Sequence, residues 1–276
     1  MNKRWTLEDI HWNRFDRAAV SPRLLEVVKT AALFEANSGD YVSYLKNVFP
    51  DDRTFHREVE VWGLEERQHG EALGRWAELA DPSFSFAESL ALFQKLYALP
   101  VQSDSSVRGS QPGELIARCV VETGTSTFYS AIRDAAKEPV LAEIADNIAT
   151  DEFLHYQLFK RYYRRYEAAS SLSLVERLRI AVGRVNEAED EELGYAYFAA
   201  NVVPKTPDAH FDADFYGQEY YRRAMGLYRE RHINTATRMI MRAACLKSHG
   251  RLGDIASKLF WSFVQWKVGR LERHAA

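Results

Sequence analysis

The chain has 276 residues, 46% hydrophobic and 27% charged, a composition that excludes disorder and fibrous classes and is long enough to bury a large core. Its 36 basic and 39 acidic residues give a formal charge of -3, so there is no overall electrostatic pull toward nucleic acid or an anionic membrane, and only a local basic patch is left open. Two distant cysteines, Cys119 and Cys245, argue against a disulfide framework, a Cys-ligated zinc or an iron–sulfur cluster.

Apolar residues recur at steps of three and four without strict alternation, so the sequence predicts an all-α chain with no strand. No apolar run approaches the roughly 20 residues of a membrane span, and the N-terminus has no signal core, which predicts a cytoplasmic protein. A first helix opens at Ser21-Pro22 and runs through Leu24, Val28, Ala31 and Glu35 toward Leu45, with Gly39 as a weak point. Pro50-Asp51-Asp52 closes it and caps a second helix through Val59, Trp62, Glu66, His69, Leu73 and Trp76, which Asp81-Pro82 ends. A short helix from Phe86 to Leu99 and the polar stretch Gln102 to Ser106 read as a long connection. Pro112 starts a third helix (Leu115, Cys119, Glu122, Ser126, Tyr129), and Glu138-Pro139 makes a tight reversal into a fourth (Leu141, Ile148, Glu152, His155, Phe159, Tyr162). Two short loops and one long link are the connectivity of a ferritin-like four-helix bundle with one crossover. A charged helix over about 172–200, a loop at Val203 to Pro207 and an aromatic helical tail around Phe260 to Phe263 follow. No linker is polar enough to divide the chain, so 1–276 reads as one ferritin-like domain: a bundle over about 21–167 and a C-terminal helical extension over about 172–276.

The second and fourth helices each hold a Glu-x-x-His, Glu66 to His69 and Glu152 to His155. Residues three apart project from one helix face about one turn apart, so both side chains can reach one metal. A third match, Glu8 to His11, lies on no apolar stripe and serves as a control for chance. What singles out the other two is that they occupy core-type positions, as do Glu35 and Glu122 on the first and third helices. Four carboxylates facing one apolar core are untenable without cations. Two divalent ions balance them, and oxygen and imidazole donors without thiolate suit iron or manganese. Glu35, Glu66, His69, Glu122, Glu152 and His155 are therefore the candidate ligands of two iron ions, or of an iron–manganese pair. Thr125, one turn beyond Glu122, either points to the metal pair or bonds its own helix carbonyl. Glu189-Asp190-Glu191-Glu192 reads as a solvated face and Cys119 as a small buried hydrophobe. His56, His210, His232, His249 and His274 read as surface or satisfied histidines.

Trp62-Gly63-Leu64-Glu65-Glu66-Arg67-Gln68-His69-Gly70 and Ile148-Ala149-Thr150-Asp151-Glu152-Phe153-Leu154-His155 resemble the Glu-Glu-x-x-His-Gly and Asp-Glu-x-x-His helices of the soluble acyl-carrier-protein desaturases. Glu122-Thr123-Gly124-Thr125 is similar to the third-helix Glu-x-x-Thr of that family, and the resemblance extends over about Pro22 to Glu167. It implies a homodimeric di-iron enzyme in which Glu35 and Glu122 are terminal ligands, Glu66 and Glu152 bridge, and His69 and His155 bind one iron each. It also implies Thr125 beside the oxygen-binding face and Asp151 as partner of His69, linked to Trp12 or Trp5. The helix beyond Gly39 departs from the family, and the chain is shorter than the plant enzymes, so acyl-carrier recognition does not carry over.

The expected function is desaturation or hydroxylation of an apolar, acyl-type substrate with electrons from a ferredoxin-type donor. A ferroxidase, iron-handling or peroxide-scavenging protein is the alternative. The hundred residues after Glu167 are available to wall a substrate cavity or build a dimer interface, and Trp62, Tyr129, Phe159 and Tyr162 are candidates to line such a cavity.

Overall fold

The computed structural model describes residues 4–98, 105–168, 171–187 and 191–275. Among them there is no strand, and no helix is long and apolar enough to cross a membrane. Three short 3-10 turns, Leu7–Asp9, Trp12–Arg14 and Arg17–Ala19, precede α1 (Pro22–Ala36), α2 (Ser38–Val48), α3 (Arg53–Ala80), α4 (Phe86–Leu96), α5 (Gln111–Ala135) and α6 (Pro139–Glu167). The C-terminal part forms α7 (Leu174–Asn186), α8 (Glu191–Tyr197) with a π-helical continuation Phe198–Val202, α9 (Ala213–Met225), α10 (Glu230–Ala243) and α11 (Arg251–Ala275).

The long helices begin where capping chemistry dictates. The Asp52 carboxylate accepts from Phe55 N–H, Ser110 Oγ from Gly113 N–H, and Glu138 from the amides of Val140 and Leu141, with prolines in the first turns of α1, α5 and α6. The Glu138 carboxylate also accepts from Trp76 Nε1–H at 2.7 Å, tying the start of α6 to the end of α3.

The first sequence helix breaks at Asn37 instead of continuing past Gly39. The Asn37 amide donates to Phe34 O in a tightened last turn, and Ser38 Oγ donates to Gly63 O of α3, which redirects the chain into α2. The short connection helix ends at Leu96, where Tyr97 turns extended, and Gln102 to Asp104 of the expected polar link lie outside the described residues. The charged helix expected over 172–200 stops at Asn186 and resumes at Glu191; residues 188–190, which include Glu189 and Asp190, are outside the described residues. Glu192 is buried and accepts from Tyr41 O–H at 2.6 Å. That corrects its reading as part of a solvated face: a partner on α2, invisible locally, takes it inside.

Two apolar layers fix how the helices lie. One joins α1 to the end of α3 (Leu73, Trp76), the end of α5 (Tyr129, Ile132) and the start of α6 (Leu141, Ile148). The other joins the start of α3 (Phe55, Val59), the start of α5 (Leu115, Ile116) and the end of α6 (Phe159, Tyr163). Hence α3 and α5 run in one direction and α6 in the other. The candidate ligands sit in the belt between the layers, where a ring of carboxylates interrupts the core.

Candidate metal centre

All six candidate ligands are buried, and His69 and Glu152 are fully shielded from solvent. They form two overlapping sets, Glu35, Glu66, His69 and Glu152, and Glu66, Glu122, Glu152 and His155, with the donor atoms of each set within 4.8 Å of one another. Glu66 and Glu152 belong to both. His69 Nδ1 lies 3.1 Å from Glu152 Oε1 and 3.7 Å from Glu35 Oε2. His155 Nδ1 lies 3.0 Å from Glu66 Oε1 and 3.7 Å from Glu122 Oε2.

Two acids on opposite helices orient the imidazoles. His69 Nε2 meets Asp151 Oδ2 at 3.2 Å and His155 Nε2 meets Glu65 Oε2 at 2.9 Å. A carboxylate only accepts, so each Nε2 carries a hydrogen, and a neutral imidazole held this way turns its Nδ1 lone pair to the centre, the arrangement that prepares a histidine to bind a metal. The pairing crosses over: Asp151 of α6 holds the histidine of α3, and Glu65 of α3 holds the histidine of α6. Arg4 Nη1 lies 3.0 Å from both acids. Trp5 Nε1–H donates to Asp151 at 2.7 Å while the indole stacks on His69 at 4° between planes. Trp5 therefore takes the place that the sequence left open between it and Trp12, whose own Nε1–H goes to Leu7 O.

Glu65 and Arg4 were missed by sequence reasoning. Glu65 had a signal: Glu65-Glu66-x-x-His69 and Asp151-Glu152-x-x-His155 are both acid-Glu-x-x-His, so the acid before each ligand is part of the repeat. Tyr129, read as a cavity liner, is instead fully buried and donates its hydroxyl to Glu35 Oε1 at 2.5 Å. Thr125 Oγ1 sits 2.5 Å from Glu152 Oε2 as well as 3.3 Å from Glu122 O, so it faces a ligand and its own helix together. Other histidines are satisfied as expected, His56 against Phe49 O and His232 against Asp134; His210 is exposed, and the side chain of His274 is outside the described residues. The control histidine, His11, pairs with Glu143 away from the centre, and Cys119 is fully buried.

Burial and then the adjacent Glu152 and Glu35 push the Glu66 carboxyl well above the usual range. Burial also lifts Glu122, to about 8. The cluster therefore seeks positive charge from protons or from cations. Glu35 Oε2, Glu122 Oε1, Glu152 Oε1 and both histidine Nδ1 atoms have no hydrogen-bond partner, which is untenable for buried polar atoms facing one another unless something else satisfies them. This oxygen and imidazole donor set without thiolate fits iron or manganese.

A cavity of about 340 Å³ opens on the four carboxylates. Its floor is Glu35, Glu66, Glu122 and Glu152 with Thr125; its walls include Trp62, Phe34 and Phe128, then Tyr220 of α9, Ile233 and Ile240 of α10 and Phe260 of α11. Of the aromatic residues proposed from sequence, Trp62 lines it, whereas Phe159 and Tyr162 pack in the apolar layer beyond the belt. The C-terminal helices wall the cavity, one of the two roles open to them. Arg118, Arg184, Glu187 and Glu192 bring charge to its lining. No family model matches the chain, and no curated protein matches it significantly.

Proposed function

We propose that the chain is a ferritin-like, desaturase-like oxidoreductase that holds two iron ions, or an iron–manganese pair, and desaturates or hydroxylates an apolar, acyl-type substrate. The observation that carries this reading is the apolar cavity opening directly on the four buried carboxylates. A protein whose substrate is iron itself needs a polar route to the centre, and a lining that is mostly aromatic and aliphatic, with Arg118, Arg184, Glu187, Glu192 and Lys267 in the minority, disfavours that.

The two overlapping donor sets that share Glu66 and Glu152 support two ion positions, and two divalent charges offset four carboxylates. Bound there, the ions supply dioxygen activation and the capacity to remove hydrogen from an unactivated carbon, which no side chain provides. The chain's own residues do the rest. Glu65 and Asp151 fix the imidazoles, Tyr129 holds Glu35, and Phe34, Phe128, Tyr220 and Ile233 exclude water and lay a hydrocarbon chain across the carboxylate floor. Two electrons come from an external donor of ferredoxin type, and the desaturase resemblance further suggests a homodimer.

The test supplies the iron-loaded protein with oxygen, a reduced ferredoxin and a panel of acyl thioesters and free fatty acids. Mass spectrometry is expected to find loss of two hydrogens or gain of one oxygen. Rapid multi-turnover oxidation of ferrous iron with ferric mineral build-up, and no modified organic product, would establish the iron-handling alternative instead.

A further inference from the structure

We infer that the outer face of α11 docks on an anionic lipid surface and brings one wall of the cavity to it. α11 already has an inner apolar face: Val264 and Val268 are buried against Ile233 of α10. Its outer face nevertheless carries Leu252, Ile255, Leu259, Phe263 and Trp266, with Leu252 71%, Leu259 67% and Trp266 54% exposed. At about 100° per residue these five fall within about 80° of one another, one continuous stripe along the helix. Single exposed apolar residues are ordinary, but a contiguous stripe of this size on a helix whose core face is already filled marks an interaction surface.

The charges around the stripe select the partner. α11 carries Arg251, Lys258, Lys267, Arg270 and Arg273 against Asp254 and Glu272. On the same wheel Arg270 and Arg273 lie within the stripe, Arg251 and Lys267 about 40° from its edges and Lys258 about 60°, while both acids lie off it, about 100° from its nearest residue, Ile255, and about 140° from its centre. An apolar stripe with Trp and Phe between cationic flanks is the pattern of a helix that lies in the interfacial plane of an anionic bilayer, its cations reaching the headgroups. A second copy of α11 would bring cations against cations with no acid on that face to pair them. The stripe also joins the cavity, since Phe263 belongs to both and Phe260 and Lys267 of the same helix line the cavity wall. The docking stands apart from the redox reading, because vesicle binding is scored without turnover.

The test is co-sedimentation of the full chain with vesicles of phosphatidylcholine alone and of phosphatidylcholine with phosphatidylglycerol. Binding is expected to the anionic vesicles and to weaken as salt is raised. Leu259→Ser with Trp266→Ser, and separately Lys258→Glu with Arg273→Glu, are each expected to weaken it about tenfold or more, with unchanged far-ultraviolet circular dichroism showing that the fold is kept. Equal binding to both vesicle types, or anionic binding that neither variant weakens, would overturn the proposal. So would self-association lost in the Leu259→Ser, Trp266→Ser variant without any vesicle binding, which would assign the face to a second copy.

Discussion

Gly70, one position after His69, packs directly against α1. A Cβ built there would lie 2.6 Å from Ala36 N, 2.7 Å from Ala32 O and 2.7 Å from Ala36 Cβ. Two of these atoms are α1 backbone, so no side chain can swing away and Gly70→Ala must move the helix. Ordinary contact with a Cβ begins near 3.4 Å, which puts the retreat of α1 at about 0.8 Å. Glu35 precedes Ala36, so its carboxylate moves away from Glu66 and His69 by a similar distance, beyond the roughly 0.5 Å tolerance of a functional constellation. Overpacking of this kind costs about 1–3 kcal/mol, set against the up to about 1 kcal/mol by which alanine favours a helix interior over glycine. The net expectation is a fall in melting temperature of several degrees at about 2–4 °C per kcal/mol, with reduced occupancy of the metal position that includes Glu35. The matched control is Gly183→Ala in α7, where nothing lies within 4 Å of the added methyl; it should raise stability by about 0.5–1 kcal/mol. Thermal melting and elemental analysis of both variants decide the matter. A Gly70→Ala protein with unchanged melting temperature and full metal content would refute the argument that this close approach sets the position of Glu35.

Glu65→Gln should lower metal affinity about 10- to 100-fold, as removal of an acid that orients a ligating histidine does; titration with ferrous iron checks this, and unchanged affinity would leave Glu65 a surface partner of Arg4. Thr125→Val should keep iron content but change the rate of oxygen consumption about tenfold, because a hydroxyl bonded to a ligand carboxylate is lost; unchanged oxygen kinetics would mean the hydroxyl serves only its own helix. Chelation should lower the melting temperature of the loaded protein, since what binds the folded state alone stabilises it. Burial raises the Asp81 carboxyl, but hydrogen bonds from Lys29 and Ser83 outweigh it and hold the group at about 2. A depressed folded-state value means that this contribution is present above the unfolded value of 3.8 and is lost as pH falls toward 2. After screening by the solvent that reaches the pair it amounts to about 1 kcal/mol, so Asp81→Asn should flatten the acid limb of stability against pH, and an acid limb of equal slope in both proteins would refute it.

The ligands were legible because five of the six lie on the long helices α3, α5 and α6, whose buried faces are mostly apolar, so a Glu or His at a core position stands out there, and Glu35 lies at a like position on the shorter α1. Trp5 and Arg4 were harder: they stand ahead of short 3-10 turns, where no periodicity shows which side faces in. Tyr129 illustrates another limit. Its place on the stripe says that it is buried, but a buried tyrosine packs in the core, lines a cavity or bonds a ligand, and which of these holds depends on Glu35 ninety-four residues away. The break at Asn37 and the burial of Glu192 have the same origin, in partners on other helices (Gly63 and Tyr41) that no local window contains. The cavity wall was the least legible part, because α9, α10 and α11 present it through the way α10 packs on α5, α9 on α8 and α1, and α11 on α9 and α10.

That division has a consequence for how the protein works. Donor atoms come from α1, α3, α5 and α6; α3, α5 and α6 are fixed by apolar layers on both sides of the carboxylate belt, and α1 by the first layer. The far wall of the cavity comes from α9, α10 and α11, which supply none of the clustered donors. Changes in Tyr220, Ile233 or Phe260 can therefore reshape what the cavity accepts while the spacing of Glu66, His69, Glu152 and His155 is preserved. Function lives in a site carried by a fold, and here the site has two parts with separate structural supports. One sets which ions the centre can hold. On the proposed reading, the other sets which organic chain can lie against it, and α11 joins that second part to the outer apolar stripe through Phe263.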